Sequence, residues 1–222
     1  MAKHLDLEEQ EQLDQIKHFW AQYGNLITWV LIIVLGAMAA WNGWRYWERS
    51  QSTKAAVLHD ELERAAEARD TARLEDALGK LREGFGSTTQ ASQGALLASK
   101  AFHEQGKLDA ARSALSWVVD KGADEAYQAV ARLRLAALEL EAGQHEQALK
   151  RLDGKVPADF QGLFEDRRGD ILLAQGKPDE ARKHFESAWK SLGERNPYRK
   201  LVEVKLASLG VAAASLTASK EP

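Results

Sequence analysis

The sequence predicts an all-α protein, with one membrane-crossing helix near the amino end followed by a solenoid of helical hairpins. Three observations predict it. Residues 19 to 44 run for 26 residues without a formal charge, and Leu26 to Trp41 is almost wholly apolar. From residue 50 onward alanine, leucine, glutamate and lysine dominate, and the alternation typical of half-buried strands is missing. A glycine-centred turn then recurs three times at near-constant spacing, the signature of a repeat array.

Residues 1–23 form a short acidic lead. Leu13, Ile16, Trp20 and Tyr23 recur at helical spacing and give it one apolar edge, while Asp6 is a candidate N-cap with Glu8 and Glu9 in the first turn. The spanning helix follows over 24–47. From Tyr23 to Trp44 a helix rises about 31 Å, close to the roughly 30 Å hydrocarbon slab. Amphipathic rings prefer the headgroup level, which makes Trp20 and Tyr23 on one side, and Trp41, Trp44, Tyr46 and Trp47 on the other, the expected membrane-interface anchors. Five of the seven tryptophans lie between positions 20 and 47, where a soluble core helix has no reason to collect them. Arg45 sits where its head group reaches the lipid phosphates. Ala37-Met38-Ala39 offers a signal-peptidase-like site, but the five acids that precede it are foreign to the short basic start of a signal peptide.

No helix breaker appears between the span and Asp70, so residues 48–70 read as a helical stalk carrying Ala55, Leu58, Leu62, Ala65 and Ala66. The repeat domain is then expected over 71–222. Its three clear turns centre on Gly106, Gly143 and Gly176. Each glycine is followed five residues later by alanine (Ala111, Ala148, Ala181) and four further on by a large apolar residue (Leu115, Leu152, Phe185). Glycine takes the left-handed conformation that ends one helix, an acid or amide soon after favours the start of the next, and alanine lets the two helices approach. Leu58 to Arg69 with Leu74 to Phe85 reads as a degenerate earlier hairpin, Val156 to Gly162 as a stretch inserted in the middle unit, and Pro197 to Leu209 as a capping helix.

This pattern resembles the tetratricopeptide repeat, whose unit is two helices with a small residue before the turn and an alanine after it. The third unit fits best, with Gly169, Gly176, Ala181, Phe185 and Ala188. The helix-A tryptophan and the closing proline of that repeat are missing. The wider layout resembles the YfgM family of gram-negative bacteria, ancillary subunits of the Sec translocon. The resemblance rests on the acidic lead Glu8 to Gln12, Ile16-Lys17 with Phe19-Trp20, the junction Gly43-Trp44-Arg45-Tyr46-Trp47, and the degenerate repeats. It implies a single-pass inner-membrane protein with a cytoplasmic amino terminus and a periplasmic repeat domain. Its implied partners are the translocon and membrane-anchored periplasmic chaperones such as PpiD. The local charge count runs the other way, since Lys3 and Lys17 precede the span while Arg45, Arg49, Lys54 and Arg64 follow it; that rule is weak for long translocated domains.

Composition narrows the function classes. Lys and Arg number 30 against 33 Asp and Glu, and two lysines and five acids precede Arg45, so the rest of the chain is charge-neutral. Nucleic-acid binding needs a surplus of cations on one face and is not expected. Without cysteine there is no disulfide, thiolate catalysis or cysteine-held metal. The six histidines are scattered, with no H-E-x-x-H or other ligand spacing, and Gly84-Phe85-Gly86-Ser87 lacks the Lys and Ser/Thr of a phosphate loop. Neither a cofactor nor catalysis is expected.

An interaction module is the remaining expectation. Stacked hairpins form a surface lined by the first helix of each unit. On the repeat pattern the groove candidates are Gln93, Leu96, Lys100 and His103 in the first unit, Val130, Leu133 and Ala137 in the second, and Asp166 and Asp170 in the third. That mixture of apolar groups and both charge signs suits unfolded or extended polypeptide. The competing expectation is an assembly factor whose span does the binding.

Overall fold

The computed structural model describes residues 7–211, apart from the side chains of residues 7–12 and of Ile16. The expected N-cap Asp6 and Lys3 lie outside the described residues, as do the side chains of Glu8, Glu9 and Ile16. Among the described residues the chain is helical throughout, with no strand. The helices are α1 (Leu7–Glu67), α2 (Thr71–Phe85), α3 (Thr89–Glu104), α4 (Leu108–Lys121), α5 (Glu125–Glu141), α6 (His145–Arg151), α7 (Gln161–Ala174), α8 (Pro178–Ser191) and α9 (Arg199–Ser208). A single 3-10 turn, Ala158–Phe160, precedes α7. The chain divides into two compact units, one ending at Gln51 and the other beginning at Ser52.

In the first unit α1 is long and apolar enough to cross a membrane. Its large side chains are exposed, Ile33 to 66% and Leu35 to 62%, which is the pattern of a helix whose solvent is lipid. Thr28 Oγ1 donates to the Gly24 carbonyl at 2.7 Å, so the hydroxyl is satisfied within the helix. The aromatic girdles form ring pairs, Phe19 with Tyr23 at 5.1 Å and Trp44 with Trp47 at 5.5 Å between centroids.

In the second unit the three turns close identically. Gly106, Gly143 and Gly176 have φ of 74°, 72° and 74°. After each, the next backbone N–H reaches back to the preceding helix: Lys107 to Phe102 O at 2.8 Å, Gln144 to Glu139 O at 2.8 Å, and Lys177 to Leu172 O at 3.0 Å. This is the left-handed helix termination that glycine permits at no steric cost. The acids that follow (Asp109, Glu146, Asp179) lie in the first turn of the next helix, where they complement its dipole; none of the residues preceding α4, α6 and α8 caps through its side chain. The same closure ends α1, where Arg69 sits at φ 53° and Asp70 N–H donates to Ala65 O at 2.9 Å.

The stalk expected over 48–70 is corrected by this. From Ser52 onward α1 is the first helix of the domain, because Ala55, Leu62 and Ala65 are buried in one core with Leu74 and Leu81 of α2, Phe102 of α3 and Leu115 of α4. A Cβ at Gly94 of α3 would lie 2.9 Å from Leu81 Cδ1 and 3.4 Å from Leu62 Cδ1, so the third helix rests directly on the first two. A rod held off the domain would leave these leucines in water, at a cost of about 1.5–3 kcal/mol each.

Two further cores follow along the chain. Ala129, Ala136, Ala148, Leu152, Phe164 and Ile171 join α5, α6 and α7. Leu172, Ala181, Phe185, Trp189, Val202 and Leu206 join α7, α8 and α9. Each hairpin thus buries its faces only against its neighbours, as in a solenoid. Gly169 shows how tight this is: a Cβ there would stand 2.5 Å from Cε1 of Phe185. The inserted stretch between α6 and α7 is held by arginines. Arg132 of α5 donates to the carbonyls of Arg151 (2.9 Å), Lys155 (2.8 Å) and Asp153, and its guanidinium lies 4.8 Å from the centroid of the Phe164 ring. Arg168 of α7 donates to Leu152 O at 2.8 Å.

Candidate protein-interaction site

The first helices of two consecutive units, α3 and α5, lie side by side and are joined at three levels. Gln93 Nε2 donates to Tyr127 Oη at 2.8 Å near their amino ends. Arg134 donates to the Leu96 carbonyl at 2.9 Å in the middle. His103 Nε2 and Glu141 Oε2 are 2.9 Å apart near the carboxyl ends. Between the last two levels the helices part into an open cleft of about 290 Å³. Its walls carry Lys100 and His103 from α3, and Arg134, Ala137 and Glu141 from α5; Ser99, Leu115 and Leu138 form the floor. The accessible lining is mainly apolar, with charge at the rim.

The structure therefore brings together three of the residues marked by the repeat pattern: Lys100, His103 and Ala137. Gln93 is exposed but engaged with Tyr127. Val130 is half-buried against the first core and Leu133 against the second. Leu96 is only 7% exposed and belongs to the first core, so its expected place in the groove is corrected; only its backbone carbonyl faces Arg134.

Asp166 and Asp170 are corrected as well. Asp166 is 1% exposed. Lys205 Nζ of α9 lies 2.8 Å from both of its oxygens, Tyr198 Oη donates to Oδ2 at 2.7 Å, and the same ammonium reaches Asp170 Oδ1 at 2.7 Å. Two carboxylates one helical turn apart thus fasten the capping helix to α7. Burial pushes the Asp170 carboxyl above the usual range, opposed by its bond to Lys205, and burial with the Asp166 carboxylate pushes the Tyr198 phenol well above its own. These are structural groups with their partners already inside the chain.

Arg134, Leu138 and Glu141 were not foreseen. A signal existed for Arg134 and Glu141, which lie three before and four after Ala137 and so share its helix face; Leu138, one residue on, had none. Outside the cleft, His59, Asp60 and Glu63 place three potential ligand atoms within 4.8 Å of one another on one turn of α1. His59 Nδ1 stands 3.7 Å from Glu63 Oε1, an ordinary ion-pair spacing, and both acids are exposed.

Comparison with known proteins agrees with this architecture. A family model described as a tetratricopeptide repeat-like domain matches residues 17–211. A Neisseria gonorrhoeae protein named "Ancillary SecYEG translocon subunit" is 30% identical over 213 residues, 94% of this chain and 100% of the relative. The chain belongs to the ancillary SecYEG translocon subunit family. Two more relatives of that name are those of Escherichia coli, 28% identical over 82% of this chain and 88% of the relative, and Haemophilus influenzae, 25% identical over 83% and 90%. The family match begins at Lys17 and so takes in the apolar part of α1 together with the repeats. In ancillary-subunit terms the α3/α5 cleft is a feature of the repeat-like part, and the girdles around Trp20 and Trp44 belong to the membrane part.

Proposed function

We propose that this chain is a single-pass inner-membrane protein with a cytoplasmic amino terminus and a periplasmic repeat domain, associated with the Sec translocon. On this proposal the domain meets polypeptides as they emerge and passes them to periplasmic chaperones, a membrane-anchored PpiD-like protein among them. The observation that carries it is the near full-length similarity to relatives named as translocon subunits, which extends across both the apolar helix and the helical hairpins. Tethering supports the role physically. A module held at the membrane meets a neighbouring exit site at an effective concentration in the millimolar range for short connections, so weak contacts suffice. The reading is binding and not catalysis: in the mainly apolar cleft Ser99 Oγ donates to the Leu96 carbonyl at 2.8 Å and His103 is engaged with Glu141 at 2.9 Å, so its hydroxyl and its imidazole each have another partner.

A second version places the translocon contact in the span itself. Gly36 and Gly43, seven residues apart on α1, would meet nothing within 4 Å if given a Cβ, which leaves backbone accessible to another helix. One experiment separates the versions. Tagged full-length chain and a fragment of residues 1–50 are purified from membranes in mild detergent. The proposal expects SecYEG with the full chain, and the second version expects it with the fragment too. No SecYEG in either preparation overturns both. Protease treatment of intact spheroplasts tests orientation: digestion of the domain is expected, and protection until lysis would place it in the cytoplasm.

A further inference from the structure

The two cations of the α3/α5 cleft are unequally engaged. Lys100 Nζ is 3.7 Å from Glu104 and exposed on the rim. Arg134 makes one hydrogen bond, to the Leu96 carbonyl, and among the described residues no carboxylate lies within ion-pair distance of it. The residue as a whole is exposed, and partial burial of its guanidinium lowers its affinity for the proton from the ordinary value. A guanidinium carries five N–H donors in a planar fork that matches a carboxylate. His103 and Glu141 face one another at the end of the cleft and Lys100 on the rim has Glu104, so the charge left without a carboxylate belongs to Arg134. Beside them Leu115 and Leu138 of the floor and Ala137 of the wall offer an apolar surface, and the cleft is open enough for a chain to continue past it.

We propose that this cleft binds an extended polypeptide segment in which an acidic side chain adjoins a large apolar one. The carboxylate pairs with Arg134 beside Lys100, and the apolar side chain rests on Leu115, Ala137 and Leu138. This rests on the reading of the domain as a polypeptide-binding module, and it names which segments that module prefers. A charge-assisted bond to the guanidinium discriminates between a carboxylate and its uncharged isostere, because only the carboxylate supplies the counter-charge that Arg134 lacks in the chain.

The test uses full-length protein in detergent and short fluorescein-labelled peptides with amidated ends. One carries Asp-Leu-Phe-Asp within a Gly/Ser frame, and its isostere carries Asn-Leu-Phe-Asn. Fluorescence anisotropy should show the acidic peptide bound about tenfold more tightly, with the ratio narrowing as salt is raised. Arg134→Gln should bring the two peptides within about twofold, as expected from removing one charge-assisted bond. Should Arg134→Gln lower the melting temperature, Lys100→Glu, on an exposed side chain, carries the same expectation without touching the fold. Equal binding of the two peptides by the wild type, or a preference that survives both substitutions, overturns the inference. A preference that appears only when the carboxyl end is left free overturns the assignment to an internal side chain. SecYEG recovery from the same preparations is scored in parallel. Its presence without acidic preference defeats this inference alone, and its absence from wild-type preparations defeats the parent reading.

Discussion

Lys205→Met removes the ammonium that fastens α9 to α7. Three bonds of 2.7–2.8 Å disappear at once, leaving Asp166, with a side chain 2% exposed, and Asp170, at 23%, without their common counter-charge. Stripping one partner from a fully buried pair costs about 3–5 kcal/mol. Tyr198 still donates to Asp166, and Asp170 is partly solvated with Arg167 3.6 Å away, so the expected loss is nearer about 2–3 kcal/mol. For a domain of this size that is a fall in Tm of roughly 5–10 °C, read by far-UV circular dichroism of the full chain in detergent. The pH dependence gives a sharper check. Asp170 already has a raised carboxyl, caused first by burial, with Lys205 the strongest opposing influence. Between the ordinary value and the raised one the folded state holds a proton that the unfolded state has released, so acidification favours folding there. Without Lys205 the carboxyl rises further and this gain begins at a higher pH. The deficit of Lys205→Met is therefore largest at neutral pH and shrinks on acidification, and Asp166→Asn combined with Lys205→Met should recover most of it. An unchanged Tm, or a deficit that stays constant between about pH 7 and pH 5, would refute the account of α9 as an ion-paired cap.

Three further outcomes follow from the same geometry. Gly169→Ala drives a methyl to 2.5 Å from the Phe185 ring and should cost about 1–3 kcal/mol, whereas Gly79→Ala, with nothing within 4 Å, should stabilise by about 0.5–1 kcal/mol; urea titrations of both distinguish crowding from general helix propensity. Arg69→Gly relieves a left-handed arginine at φ 53° and should raise stability by about 0.5–1 kcal/mol in the same assay, while a loss would mean the arginine side chain matters more than its backbone. Arg132→Met releases the carbonyls of Arg151, Asp153 and Lys155, and amide exchange across residues 152–160 should accelerate while α2 and α3 stay protected.

The parts of the fold that were legible in the sequence are those where one residue type is physically required. Gly106, Gly143 and Gly176 announce their turns because only glycine adopts that backbone freely, and Ala111, Ala148 and Ala181 mark where two helices touch. The first hairpin was harder because Arg69 stands where the others have glycine. Leu62 and Ala65 could be read both as stalk and as the first helix of the earlier hairpin, and Ala55 as stalk alone, because a core-facing stripe and a free amphipathic rod share one periodicity. Only the packing partners, Leu74 and Leu81, decide between them. In the site, Lys100, His103 and Ala137 could be marked from the repeat register alone. Asp166 and Asp170 could not be excluded that way, since their counter-ion Lys205 lies 39 and 35 residues away and nothing local reveals the pairing.

The central claim, that the α3/α5 cleft meets polypeptides leaving the translocon, is tested most directly by site-specific photocrosslinking in intact membranes. Photoreactive residues are placed at Lys100, at Ala137 and, as a control on the exposed surface of α2, at Glu75, and a secretory chain is arrested in the translocon. Adducts to the arrested chain from positions 100 and 137 and none from 75 are the predicted result. Equal adducts from all three positions, or none from any while residues of the span crosslink to SecYEG, would contradict it.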